Sequence, residues 1–181
     1  ISEGVYSLVI GSYWLDDMTR LTLPDGKSDY FALAAVRVLP TSPVRAKGSN
    51  IVGKTFGGAI ELIGYDLSLK AVKAGEQLTL VLYWTAVAPV AKELTVFNHV
   101  IDGEGRIWGQ HDSQPMQGRC PTSVWSPGEV IQDKHTIILD PQAPPGIYRV
   151  FIGLYDLSSG DRIRAEDGSD SIALAEIELR R

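Results

Sequence analysis

The chain has 181 residues, with 17 Lys and Arg against 22 Asp and Glu for a formal net charge of -5; such a length supports one ordinary domain with a real core plus an appendage. No basic run interrupts the acidic balance, which removes the electrostatic footprint of a nucleic-acid binder. No apolar stretch approaches the length of a membrane span, and Cys120, the single cysteine, excludes an internal disulfide and a cysteine zinc cage.

In chain order, the opening "ISEGVYSLVI" has neither an initiator Met nor a signal-peptide layout, so the chain is expected to be soluble and cut from something longer. "TSPVRAKGSNIVGKT" at 41–55, rich in Gly, Ser, Pro and Lys, reads as a linker. From there strand signals dominate: "AIELIGYDLSL", "QLTLVLYWTA", "LTVFNHVI", "RIWGQH", "VIQDKHTIIL", "IYRVFIGLYD" and "SIALAEIEL" are short, β-branched or aromatic, and divided by Gly, Pro and Asp turns. In "QLTLVLYWTA" the alternate positions Leu78, Leu80, Leu82, Trp84 and Ala86 make one apolar face, which points Trp84 into the core. "IDGEGR" closes a hairpin through Asp102, Gly103, Glu104 and Gly105. "PPGIYRVFIGLYD" has the Gly-x-Tyr-x-Val pattern of a tyrosine corner, with Tyr148 expected to bond back to nearby backbone. Long helical periodicity is absent, and the strand count predicts an all-β fold, a two-sheet antiparallel β-sandwich of immunoglobulin-like or jelly-roll type.

The chain also repeats itself. At an offset of 142, residues 4–26 match 146–168 without a gap and share nine identities, among them Gly4/Gly146, Tyr6/Tyr148, Gly11/Gly153, Tyr13/Tyr155, Arg20/Arg162 and Gly26/Gly168. After one deletion the offset becomes 141, and "FALAAVRV" at 31–38 runs beside "IALAEIEL" at 172–179. The expected organisation is therefore the C-terminal half of an upstream repeat copy at 1–40, a linker at 41–55 and a complete sandwich domain at 56–181. A half sandwich exposes an apolar sheet face and strand edges. Its completion is expected from the rest of the chain, from another chain or from a preceding repeat.

The strings "IELIGYDLSLKAVKAGEQLTLVLYWTAVAP", "TVFNHVIDGEGRIWGQHDSQP", "PTSVWSPGEVIQDKHTIIL" and "PPGIYRVFIGLYDLSSGDRI" follow one another in order and carry a likeness that covers residues 57–179. Together they resemble the β-sandwich modules found, singly or in tandem, at the extracytoplasmic C-terminal side of bacterial glycosyltransferase-like membrane proteins and of other surface proteins. The resemblance implies an exported accessory module at the cell surface or outside the cell, and it carries no transferase activity over to a chain without a membrane-spanning part.

Candidate sites are few. His99 and His111 lie on two arms of one hairpin, and counting from the turn places His99 opposite roughly Trp108, which leaves His111 about 10 Å further along and argues against shared zinc ligation. Asp161, Glu166, Asp167 and Asp170 are the weak calcium alternative, without EF-hand order. Exposed rings that could stack on a glycan are sought among Trp14, Trp108, Trp125 and Tyr83, with Tyr13 beside them; Trp125 in "PTSVWSPGE" reads first as a lid over one end of the sandwich. Arg20/Arg162 reads as a partner of a neighbouring carboxylate or as a packed stem rather than as a substrate ligand. No nucleophile elbow, zincin helix or phosphate loop is present, so neither catalysis nor a cofactor is expected. The expected role is a non-catalytic, structural or assembling repeat module whose partners are other copies of the chain or adjacent repeats; the alternative is a carbohydrate-binding accessory module whose partner is a glycan.

Overall fold

The computed structural model describes residues 4–38 and 47–180. They fall into two compact units, 1–41 and 42–181.

The first unit is an antiparallel pair, β1 (Gly4–Ile10) and β2 (Phe31–Val38), with a bulge between Leu8 and Val9. The long connection is folded back on itself by Tyr13 bridging Arg20 and by Asp25, whose carboxylate accepts from the Lys27 and Ser28 amides. Gly26 turns at a φ of 67° and Met18 at 60°, a left-handed conformation that favours glycine.

The second unit is all-β apart from two short 3₁₀ turns. Its strands are β3 (Asn50–Phe56), β4 (Ile60–Leu67), β5 (Ala71–Lys73), β6 (Gln77–Ala86), β7 (Leu94–Ile101), β8 (Ile107–Gln110), β9 (Val130–Leu139), β10 (Gly146–Asp156), β11 (Arg162–Ile163) and β12 (Ile172–Arg180). Hydrogen bonding runs in the order β3-β4-β6-β9-β8-β7-β10-β12-β5, with β11 beside β10. The two layers of the sandwich are thus one curled sheet, joined where the short β8 pairs with both β7 and β9. All pairs are antiparallel except β12 with β5.

Alternation explains the core. In β6, Leu78, Leu80, Leu82, Trp84 and Ala86 are all at 0% exposure, and in β10 Val150, Ile152 and Leu154 are at 0% beside Tyr148 at 2%. These side chains face Leu62, Ile137, Val96, Val100, Ile177 and Leu179 in one continuous cluster drawn from both layers. Burying one such aliphatic side chain is worth roughly 2 kcal/mol. The Tyr148 hydroxyl donates to the Pro144 carbonyl at 2.6 Å, the tyrosine corner expected from the pattern.

The stretch 41–55 differs from its expected role as linker: Asn50–Phe56 is β3, paired with β4, while residues 41–46 lie outside the described residues. Gly53, at a φ of 65°, sits in a bulge between Ile51 and Lys54, so the strand breaks the alternation that would reveal it. No helix among the described residues is long and apolar enough to cross a membrane.

Candidate functional site

Two features stand out from ordinary sandwich packing: a polar chain inside the core of the second unit and an exposed apolar face on the first.

Asp133 and His135 occupy inward positions of β9 between Ile131 and Ile137, and Asn98 occupies an inward position of β7; all three are at 0% exposure. His135 Nε2 lies 2.7 Å from Asp133 Oδ2, and its Nδ1 lies 2.9 Å from both Asn98 Nδ2 and His111 Nδ1. The second Asp133 oxygen accepts from the Met116 backbone amide at 2.8 Å, and Asn98 Nδ2 also donates to the His111 carbonyl. Because a carboxylate only accepts, His135 carries its proton on Nε2; its Nδ1 then accepts from the Asn98 amide, and His111 is assigned an Nδ1 proton. Met116 and Gln117 are held at positive φ, 54° and 57°, in the turn that aims the Met116 amide at Asp133. Burial, followed by the neighbouring His135, pushes the half-buried His111 below its usual imidazole range. The chain of side chains ties β7, β9 and the segment after β8 together. The sequence carries its signal: Asp and His at alternate positions of "VIQDKHTIIL", in phase with Ile131, Ile137 and Leu139, are polar residues at core positions.

His99 pairs in register with Gln110 rather than with Trp108, and the His111 amide bonds to the Asn98 carbonyl. A bulge between Val100 and Ile101 shifts the hairpin from the simple count. His99 Nε2 lies 3.6 Å from Asp112, while His111 turns to His135. Among the described residues no group of three or more His, Cys, Asp or Glu could hold a metal ion.

The aromatic candidates are dispersed. Tyr83 is buried at 5% exposure, its hydroxyl donating to Asp66 Oδ2 at 2.8 Å, and burial pushes its phenol up to about 12. Trp125 is likewise buried at 5%, with Nε1 donating to the Cys120 carbonyl, which makes it a lid rather than a platform. These two rings are therefore withdrawn from sugar stacking, because a buried face has no surface to offer. Trp108 is half-buried, donates to Asp102 Oδ2 at 2.7 Å and lies under Arg106. Trp14 and Tyr13 stand open at 62% and 51%.

The acidic candidates face cations and turn amides. Asp167 accepts from the Ser169 amide and hydroxyl, lies 3.3 Å from Lys54, and is held at about 2 chiefly by its bonds from Ser169. Asp170 pairs with Arg162 at 3.3 Å and Glu166 lies 3.8 Å from Lys54. The Asp161 carbonyl accepts from the Asp156 amide. These bonds close the β10–β12 connection on itself and tie it to Lys54 of β3.

That connection and its flanking strands are reproduced in the first unit. With the offsets read from the sequence, Gly4 opposite Val38 corresponds to Gly146 opposite Leu179, and the bulge at Leu8/Val9 corresponds to the bulge at Val150/Phe151. The Arg20–Asp29 pair at 3.0 Å corresponds to Arg162–Asp170, and the Tyr13–Arg20 bridge to Tyr155–Arg162. The turn bonds Trp14 N–H to Thr19 O and Gly26 N–H to Leu23 O return as Asp156 N–H to Asp161 O and Gly168 N–H to Ala165 O. Burial is what differs. Leu8, Ile10 and Val36 are exposed at 52%, 57% and 45%, whereas their counterparts Val150, Ile152 and Ile177 lie at 0%, 0% and 1%.

The second unit defines an all-β sandwich domain closed by a C-terminal hairpin. No family profile and no curated sequence matches the chain. Among solved structures, the C-terminal domain of wzt is similar with a TM-score of 0.52 at 15% identity over 71% of this chain and 77% of that one, a likeness of fold. Weaker likenesses are to a CARDB domain from Pyrococcus furiosus in complex with di-metal ions, TM-score 0.40 at 8% identity over 72% of this chain and 92% of that one, and to a Niemann-Pick type C2 protein from Japanese carpenter ant, TM-score 0.41 at 7% identity over 73% and 96%.

Proposed function

We propose that the chain is a non-catalytic, extracytoplasmic β-sandwich repeat module that assembles or spaces a cell-surface protein through its first hairpin. The observation that carries this reading is the pair of matching hairpins, one buried in a core and one with the same face open at Leu8, Ile10 and Val36. An open apolar face beside a strand edge favours addition to another sheet, supplying backbone bonds and apolar burial together. The resemblance of residues 57–179 to modules beside bacterial glycosyltransferase-like membrane proteins supports the surface location and the accessory role, and the likeness of fold to a C-terminal domain is compatible with a β module of that kind. Other copies of the chain or adjacent repeats are the partners in this reading.

Light scattering of residues 1–181 beside 42–181 across a concentration series tests it. The long form is expected to associate and the short form to stay monomeric; equal monomeric mass for both would sink the assembly role. The second reading, a carbohydrate-binding accessory module, is favoured by a cleft of about 500 Å³ on the outer side of β10, lined by Phe151, Ile147, Ile101, Arg149 and Glu176. Glycan binding by the monomer, weakened by Phe151→Ala, would move the proposal to that class.

A further inference from the structure

The first hairpin has a vacancy, and the second shows what fills it. In the second unit β7 pairs antiparallel with β10, with Phe97 opposite Gly153 and Thr95 opposite Tyr155. The Phe97 ring lies so close to Gly153 that a Cβ there would meet it at 2.4 Å. Above the ring the Arg162 guanidinium sits 4.6 Å from its centroid, held in place by Asp170, and the Tyr155 ring is 6.4 Å away. Phe97 is thereby 2% exposed, in a socket made by Gly, Tyr, Arg and Asp of one hairpin.

The same four residue types recur as Gly11, Tyr13, Arg20 and Asp29, with the Arg20–Asp29 pair already formed at 3.0 Å. Around them is a cavity of about 150 Å³, lined also by Val9 and Tyr30. That is roughly the space that accepts a benzene ring in a protein interior. Gly11 is itself accounted for by the Asp29 carbonyl, 2.7 Å from where its Cβ would stand, so the argument rests on the open volume and on the pre-formed arginine roof. On the side of β1 away from β2, no strand pairs with it among the described residues.

We infer that this edge and socket are a docking site for a β-strand of the β7 kind, running antiparallel to β1 and seating a phenylalanine ring against Gly11 beneath Arg20. The partner is a sandwich repeat that carries the pattern Leu-Thr-Val-Phe-Asn of residues 94–98 on a strand that no closing hairpin of its own covers. A second copy's own β7 already lies between β8 and β10, so it is not the source. The register follows from the second unit: the incoming Phe stands opposite Gly11, the residue two before it opposite Tyr13, and the residue two after it opposite Val9. The inference rests on the assembly reading and names the group recognised on the other side of the hairpin from Leu8 and Ile10, the side of Val9, Gly11 and Tyr13.

The test titrates the full 181-residue chain, ¹⁵N-labelled and at a concentration where it is monomeric, with a synthetic peptide of residues 92–102. Expected are shifts of the Gly11, Tyr13 and Arg20 amides, with affinity falling about tenfold or more when the peptide carries Phe→Ala and likewise when the chain carries Arg20→Ala. The Phe→Ala peptide uses the unaltered chain, so a folding defect in Arg20→Ala cannot imitate the result. Equal shifts with both peptides, a scrambled peptide acting as well as the native one, or no shift at millimolar peptide overturns the inference. If light scattering shows association through residues 1–41 while the peptide makes no distinction at Phe, the socket is wrong and the assembly reading stands. If the peptide binds as expected but the chain never self-associates, the socket stands and self-assembly falls.

Discussion

Asp133 is a carboxylate sealed in a sandwich core, and its surroundings decide its worth. It accepts from His135 Nε2 and from the Met116 amide, so its charge is met by two donors. Replacing it removes acceptors from both, and each buried donor left without a partner costs roughly 1–3 kcal/mol. Asp133→Ala is expected to lower stability by about 3 kcal/mol in urea denaturation, and Asp133→Asn, which keeps one acceptor, by less. His111 supplies a second residue-scale prediction. Facing His135, Asp133 and Asp112 from a half-buried position, it is held below its usual range, so on acidification the unfolded chain takes up a proton before the folded one does. Stability conferred by the neutral ring is therefore full above the ordinary value of 6.5 and is lost as pH falls below it. Urea titrations from pH 7.5 to 5.5 are expected to show that slope and His111→Gln to flatten it in part, since His99, also lowered by burial, adds to it with the same sign.

At the scale of elements, β10 is closely packed at Gly153. Gly153 admits no Cβ, with the Phe97 ring at 2.4 Å and the Asp170 carbonyl at 2.8 Å. Gly153→Ala is expected to cost about 2 kcal/mol, by the penalty usual for overpacking, and to shift the Phe97 ring resonances; an unchanged melting temperature would refute the close fit. Strands were legible where alternation was clean: "QLTLVLYWTA", "LTVFNHVI" and "VIQDKHTIIL" are β6, β7 and β9 to the residue. β3 hid behind Gly53 and Lys54, while β5 and β11, of three and two residues, are too short for any period to register. The distribution of the aromatics was half legible. Trp84 announces its burial by phase, but Tyr83, on the opposite face, is covered by Asp66 of the neighbouring strand, which no local pattern reveals. The Asp133–His135 pair was visible as polar residues in phase with Ile137, yet its partners Asn98 and His111 come from other strands and only the fold brings them together.

At the scale of the whole molecule, the two units differ in what holds them. The second has a core of fully buried side chains, whereas a two-stranded hairpin alone is marginal in water. Hydrogen exchange is expected to be fast in β1 and β2 and slow in β6, β9 and β10 at low concentration, with protection of β1 rising as the chain is concentrated; concentration-independent exchange in β1 would contradict association through that strand. The buried polar chain has a wider consequence. Its members, Asn98, His111, Asp133 and His135, all precede the closing hairpin in sequence, and none belongs to the segment that the chain repeats. A molecule built from recurring hairpins risks joining the wrong halves during folding. Here the larger half carries its own alignment key, set without reference to the hairpin, so that exchange of one closing hairpin for an equivalent one leaves the register of the two layers unchanged.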